Sequence, residues 1–301
     1  MTKPVALFAS DIHLSHNAPV LRSEEPDWYE AMRRPLRELR DLARKLKVPV
    51  VYPGDIFDHW KNLPELVNFA IQELPKGYAI PGQHDLINHS YEEIERTSYW
   101  TLVEAGLLKH LEPGAATDIG NDVMVYGWPW RHPVQPLENP NPHYLNVAVV
   151  HAYIWFGRYK YHTASEDCHA KNHKLKGYDA SFFGDNHINW IKNNICNCGG
   201  FYRRHSPDLD RQPSIGVLMS DGSIKQHLLD TSDDIYVRNL KEEAPITVSA
   251  ELTELTEGLL GLRSSEDLDF GQVLRRYCKT NKVPSPVVSH IDSALDEERV
   301  S

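Results

Sequence analysis

The chain predicts an α/β fold, and three observations carry that expectation. Short apolar runs rich in β-branched residues recur at residues 5–10, 50–53, 78–81, 145–150 and 180–183. Amphipathic stretches separate the first three, in the order β-α-β-α-β. Every one of these runs breaks into a cluster of Asp, His or amide side chains, and chemistry on open α/β sheets collects at such strand ends.

Composition sets the outer bounds. With 301 residues and 41% hydrophobic content the chain can build a large domain and a smaller appendage. It opens on a strand-like run and holds no stretch of membrane-spanning length, so a cytoplasmic protein without membrane contact is expected. Four irregularly spaced cysteines do not form a disulfide framework. A net charge of −10 argues against a broadly basic nucleic-acid surface, although metal cations and a few local bases can still carry phosphate contacts. Sixteen histidines supply the commonest metal ligand.

In order, the strand at residues 5–10 ends in Asp11-Ile12-His13. Trp28, Met32, Leu36, Leu39, Leu42 and Leu46 then recur at helical spacing over 27–47, where Pro35 is expected to kink the helix or start its second half. Val50 and Val51 lead through Pro53-Gly54 to Asp55 and Asp58. A short helix at 64–74 precedes the strand at 78–81 and its tip, Gly82-Gln83-His84-Asp85. Residues 91–105 read as a helix stopped at Gly106. Strands near 107–111 and 123–126 and a proline-rich loop lead to the run 145–150, which ends in His151. The segment 152–176 has no period and mixes aromatics with bases, and the strand at 180–183 delivers Gly184-Asp185-Asn186-His187. Runs at 190–195, 214–219 and 224–229 read as strands of a second sheet, the last two joined by the hairpin signal Asp221-Gly222.

An acidic stretch at 230–234 marks the expected boundary between a catalytic domain, 1–230, and a mainly helical extension, 231–301. The extension carries a strand candidate at 246–248 and helix candidates at 251–262, 268–279 and 285–295.

Taken singly, each Asp or His is as well explained by a turn or a helix cap. Together they offer the carboxylate oxygens and imidazole nitrogens that a divalent metal site needs. The ordered set Asp11-Ile12-His13, Gly54-Asp55-Ile56-Phe57-Asp58, Gly82-Gln83-His84-Asp85, His151 and Gly184-Asp185-Asn186-His187 resembles the calcineurin-like metallophosphoesterases over about three quarters of the chain. That resemblance implies a four-layer α/β/β/α sandwich and two metal ions. Asp11, His13, Asp55 and His187 would hold the first; Asp55, Gln83, His151 and Asp185 the second. Gln83 stands where the family has Asn, and Asp185 where it has His. These departures favour manganese, with magnesium or zinc as alternatives.

Two such metals, about 4 Å apart, activate water and stabilise an in-line displacement. The family role of His84 is to protonate the leaving oxygen. Asp58 is expected to orient a histidine, His84, and Asp85 either to serve turn chemistry or to take a direct role.

Within the superfamily, the segment 10–15, the Gly54-Asp55-Ile56-Phe57-Asp58 form and the segment Cys198-Gly199-Gly200-Phe201-Tyr202-Arg203-Arg204 are most similar to SbcD-type DNA repair exonucleases, including phage-encoded relatives. The likeness implies a DNA substrate, an SbcC-like ATPase partner or a homodimer. Arg203 and Arg204 are then candidates for phosphate contact, against a reading as solvated surface. Trp155 and Tyr159 are candidates for base stacking, against a lid packed by its own aromatics. Phe270, Val273, Leu274 and Tyr277 form a docking or capping helix face. Cys168, His169, His173, Cys196 and Cys198 match no familiar zinc module, so free cysteines and surface histidines are the expectation. Rival activities are a phosphomonoesterase, a cyclic-nucleotide phosphodiesterase and a lipid A pathway pyrophosphatase; a non-catalytic scaffold is disfavoured by the near-complete ligand set.

Overall fold

A computed structural model describes residues 2–161, 164–173 and 175–237, and Cys278. The chain divides into two compact units, Met1–Leu240 and Lys241–Ser301, and every element described here belongs to the first. The strand and helices expected between residues 246 and 295, with the docking face at Phe270, Val273, Leu274 and Tyr277, lie outside the described residues, Cys278 excepted.

Four parallel strands, β1 (Pro4–Phe8), β2 (Val50–Pro53), β3 (Gly77–Ile80) and β4 (Leu108–His110), form the centre and one edge of the first sheet. The helices α1 (Trp28–Leu46), α2 (Pro64–Glu73) and α3 (Ser98–Glu104) connect them. Asp27 caps α1 by accepting from Glu30 N at 3.0 Å, and Lys47 closes it in the left-handed region at φ 55°. Pro35 sits buried within this single continuous helix and opens no second one. The helix expected at 91–105 is divided. A 3-10 segment, Tyr91–Arg96, is cut from α3 by Thr97, whose extended backbone makes it an N-cap accepting from Trp100 N at 3.2 Å.

The second sheet has the order β5 (Ala116–Asp118), β6 (Val123–Trp128), β7 (Leu145–His151), β8 (Ala180–Gly184), β10 (Ile195–Asn197), β9 (Trp190–Lys192). The run 190–195 is thus two strands, turned at Asn193 in the left-handed region at φ 54°. β11 (Ser214–Met219) and β12 (Ile224–Leu228), expected in this sheet, extend the first one instead, with β11 antiparallel beside β1. Both faces of β11 are buried, so it suits either sheet and only the long-range pairing of Phe8 with Gly216 decides.

Between the sheets, Phe8 stacks on Phe182 with ring centroids 3.6 Å apart, among Val51, Ile80, Val149 and Leu218. The strand period of two is visible in β7, where Val147 and Val149 face this core while Ala148 and Val150 face outward. The helices cover the first sheet through Met32, Leu36, Leu66 and Leu102. The described residues between 152 and 178, which carry the 3-10 turns Glu166–Cys168 and Ala170–Asn172, form the layer over the second sheet through Ile154, Trp155 and Tyr178. The first unit thus folds as a layered α/β sandwich of two mixed sheets.

Residues 231–237 build onto the same unit. Buried Arg22 bonds Glu25 and, at 2.8 Å, Asp234 Oδ1; Arg34 reaches both carboxylates. No helix among the described residues is long and apolar enough to cross a membrane.

Candidate metal centre

The loops that follow β1 and β2 run side by side. Asp11 N donates to Gly54 O at 3.2 Å, His13 N to Asp55 O at 3.0 Å and Leu14 N to Ile56 O at 2.9 Å. Asp11, His13, Asp55 and Asp185 all adopt positive φ, at 53°, 48°, 52° and 90°. For residues with a Cβ this costs about 1–3 kcal/mol each, so the surrounding hydrogen bonds must hold them there. Gly54, at φ 94°, leaves room for the site: a Cβ there would stand 2.1 Å from His151 Nδ1.

Asp55 is fully buried at the centre. Its Oδ1 accepts from His84 N at 2.9 Å, while Oδ2 has no hydrogen-bond partner and lies 3.7 Å from His13 Nε2 and 3.4 Å from His151 Nε2. On one side His13 Nε2 and His187 Nε2 face each other at 3.1 Å, with Asp11 Oδ1 3.8 Å from His187. On the other, Gln83 Oε1 is 2.7 Å from His151 Nε2, and Gln83 Nε2 donates to Asp185 Oδ1 at 2.8 Å. Ligand atoms of Asp11, His13 and His187 lie within 4.8 Å of one another, as do those of Asp11, Asp55 and His151. The fold therefore brings together all seven residues expected as metal ligands.

The hydrogen-bond pattern fits cations there. His151 Nδ1 donates to Pro53 O at 2.6 Å, so its Nε2 meets two acceptors, Gln83 Oε1 and Asp55 Oδ2. A ring nitrogen among acceptors needs a proton or a metal between them. Burial alone would lower the His151 pKa, but the charges of Asp55, Asp11 and Asp185 outweigh it and lift it to about 10, so this nitrogen stands where the surrounding acceptors call for positive charge. Burial pushes the Asp11 carboxyl up to about 8, and the nearby Asp55 and Asp185 charges add to the rise, a crowd of carboxylates that a cation would relieve. Burial also lowers His13 to about 4 and His187 well below the ordinary range, which keeps both rings neutral, as ligands must be.

Asp58 is placed differently from expectation. Its Oδ1 lies 3.2 Å from His13 Nδ1, because Asp58 N is bonded to Leu14 O and the carboxylate falls beside residue 13. His84 meets only the Asp58 backbone, donating from Nδ1 to the carbonyl at 2.9 Å. Asp85 is buried and accepts from Ile56 N, Phe57 N and Gly82 N at 3.0–3.2 Å, tying the second and third loops together.

The arginine pair also divides. Arg204 Nη2 bonds Asp58 Oδ1 at 2.7 Å, and its Nε is buried without a partner. Arg203, expected at a phosphate, instead bonds Arg211 O, Tyr236 Oη and Gln212 Oε1 at 2.6, 2.9 and 3.2 Å. The two adjacent side chains take different partners, and only Arg204 reaches the centre. Trp155 is 5% exposed, donates to Ser165 O at 2.8 Å and packs on His169, so it is a core residue of the loop layer and offers no free stacking face. Tyr159 is half-buried, and its carbonyl accepts from Asn186 Nδ2 at 3.1 Å.

Sequence reasoning overlooked two positioning residues. Tyr202 Oη donates to His13 O at 2.6 Å, next to a bond from Phe201 N to Asp11 O at 3.2 Å. Buried Asn186 ties the loop layer to the centre by donating to Ile154 O at 2.7 Å; its position between two candidate ligands was the available signal. Cys196 and Cys198 lie in the inter-sheet core as free thiols, and His173 packs on Phe183. Among the described residues, every group able to hold a metal is at the strand-end centre, and none draws on these cysteines.

Among solved structures, the chain is similar to the calcineurin-like phosphoesterase YfkN from Bacillus subtilis, with 12% identity, 79% of this chain and 94% of that chain covered and a TM-score of 0.43. A putative 5'-nucleotidase from Staphylococcus aureus shows 12% identity over 86% of this chain and 59% of that one, with a TM-score of 0.47. An archaeal phosphodiesterase gives 12%, 76%, 100% and 0.37 for the same quantities. Similarities this distant assign no substrate. Comparison with curated proteins finds no match. The family model for calcineurin-like phosphoesterases matches residues 5–189, well over half of the 301, and the chain belongs to that family.

Proposed function

We propose that the chain is a metal-dependent phosphodiesterase acting on DNA, a nuclease of the SbcD type. In this reading Asp11, His13, Asp55 and His187 hold one divalent cation, and Asp55, Gln83, His151 and Asp185 the other. The observation that carries the metal-dependent chemistry is the buried Asp55 Oδ2, which lacks a hydrogen-bond partner between two histidine nitrogens. Bound there, two cations would supply Lewis-acid polarisation of the phosphoryl oxygens and an activated water. Three carboxylates and an amide among the ligands favour manganese.

The remaining residues work around that pair. His84, its Nδ1 held by the Asp58 carbonyl, presents Nε2 to give a proton to the leaving oxygen. Arg204, held by Asp58, adds a positive charge beside the centre that favours an anionic phosphoryl group. A DNA substrate is supported by the SbcD-like segments at 10–15, 54–58 and 198–204. An SbcC-like ATPase or a second copy, met by residues after 231, belongs to the same reading.

The test is a manganese-supplemented assay on linear duplex DNA, single-stranded DNA and bis(p-nitrophenyl) phosphate. Metal-dependent cleavage of DNA is expected. Turnover of the small diester alone would replace DNA with a small phosphoester, and no turnover of any substrate would leave a scaffold.

A further inference from the structure

A groove leads away from the centre. Its near end is a narrow cleft lined by His187, Asn189, Tyr202, Arg211 and Gln212. Asn189, Arg211 and Gln212 also line a wider depression of about 490 Å³, which Arg158, Tyr159 and Lys160 border as well. The two spaces therefore adjoin at Asn189, Arg211 and Gln212, one reaching a candidate metal ligand and the other the tip of the loop layer.

Three cations border the wider depression in a chain whose net charge is −10. Each lies over an aromatic face: Arg158 over Tyr159 at 5.6 Å, Lys160 over Trp155 at 4.1 Å and Arg211 over Tyr161 at 5.7 Å. Such stacking limits the freedom of a long side chain while leaving the outer side of its charge to a ligand. Carboxylates are present too. Asp210 lines the groove, Asp208 Oδ1 is 3.3 Å from Arg211 Nη1 and Glu166 Oε1 is 3.6 Å from Lys160 Nζ. The Lys160–Glu166 pair is exposed and therefore weak, so a phosphodiester backbone can compete for Lys160, while Arg211 is held by the buried Asp208 and offers its remaining donors.

We propose that this groove binds the phosphate backbone of a nucleic-acid strand flanking the scissile phosphate, with Arg158, Lys160 and Arg211 as its contacts. The proposal rests on the nuclease reading and gives it a specificity element. Trp155, buried under Lys160, acts here as a support for the cation and not as a platform for a base.

The experiment measures binding apart from cleavage. A fluorescein-labelled oligothymidylate is titrated with the full chain in EDTA, and its anisotropy is followed over a range of salt concentrations. Arg158 and Lys160 are exposed, so an Arg158→Ala/Lys160→Ala variant is expected to keep the thermal midpoint. Its affinity should fall at least about tenfold, and its salt slope should flatten by about 1.4 for two lost phosphate contacts. The charge-conserving Arg158→Lys/Lys160→Arg variant should restore most of the binding. A wild-type chain that fails to bind the strand, or a double-alanine variant that binds as tightly as wild type, overturns the groove. Groove-dependent binding without cleavage in manganese keeps the groove and overturns the nuclease reading; cleavage with binding indifferent to both alanines does the reverse.

Discussion

Asp58 turns its carboxylate to His13 and not to His84, placing Oδ1 3.2 Å from His13 Nδ1. The same oxygen takes Arg204 Nη2 at 2.7 Å. Burial pushes the Asp58 carboxyl up, but the His13 bond and the Arg204 charge outweigh it and hold it below the usual carboxylate range. Asp58 thereby stands where it favours a proton on His13 Nδ1, which leaves the lone pair on Nε2. Partners of metal-ligating histidines typically contribute 10–100-fold in metal affinity. Asp58→Asn should therefore weaken metal binding by about that factor with the fold intact. Metal content after dialysis against graded manganese, read beside a thermal melt, checks it; unchanged metal affinity would remove this role.

Asp55→Asn is expected to be more severe, because one residue serves both halves of the centre. The amide would place an N–H or a neutral oxygen where a buried carboxylate oxygen now stands between His13 and His151. Both metal equivalents should be lost, in contrast to a partial loss in Asp58→Asn. Retention of even one tight equivalent would contradict the shared-ligand assignment.

His84 makes its contacts through Nδ1 and its backbone N–H, and is not needed to close either ligand group of Asp11 with His187 or with His151. His84→Ala should keep its metal and lose about 10²–10⁴ in turnover of a substrate with a poor leaving group. The loss should shrink for a nitrophenyl ester, whose leaving oxygen needs no proton. An equal loss on both substrates would reject the general-acid role.

What could be read in advance follows the range over which each feature is determined. Candidate ligands such as Asp11, His13, Asp55 and His151 were legible because an apolar run and its polar tip are neighbours in the chain. Asp58 was harder: its partner depends on the loops after β1 and β2 lying side by side, a contact between residues more than 40 positions apart. Arg203 and Arg204 are adjacent and chemically alike, and only their packing against Gln212, Tyr236 and Asp58 tells them apart. The same limit applies to β11, which is buried on both faces and so fits either sheet, and to Trp155, whose aromatic-basic surroundings read alike for a lid and a stacking platform.

The last expectation concerns stability and pH. Glu25 is buried against Arg22 and accepts from Ile235 N at 2.9 Å, while Arg34 reaches it at 3.0 Å. Burial pushes its carboxyl up, yet the Ile235 N–H and the Arg22 and Arg34 charges prevail and leave it below the ordinary value of 4.5. A carboxylate whose pKa falls on folding stabilises fully above its unfolded value, and that contribution is lost as pH drops through the lower folded value. Glu25→Gln breaks a buried pair and leaves Arg22 with Asp234 alone, a change that costs about 3 kcal/mol at neutral pH. The gap between the wild-type and variant denaturation midpoints should therefore be wide at pH 7 and close as pH falls below 4.5, where the unfolded chain's carboxylate begins to take up a proton, and on through the lower value of the folded state. A gap that stays constant from pH 7 to strongly acidic conditions would show that the Glu25 charge is not what joins the 231–237 segment to the domain.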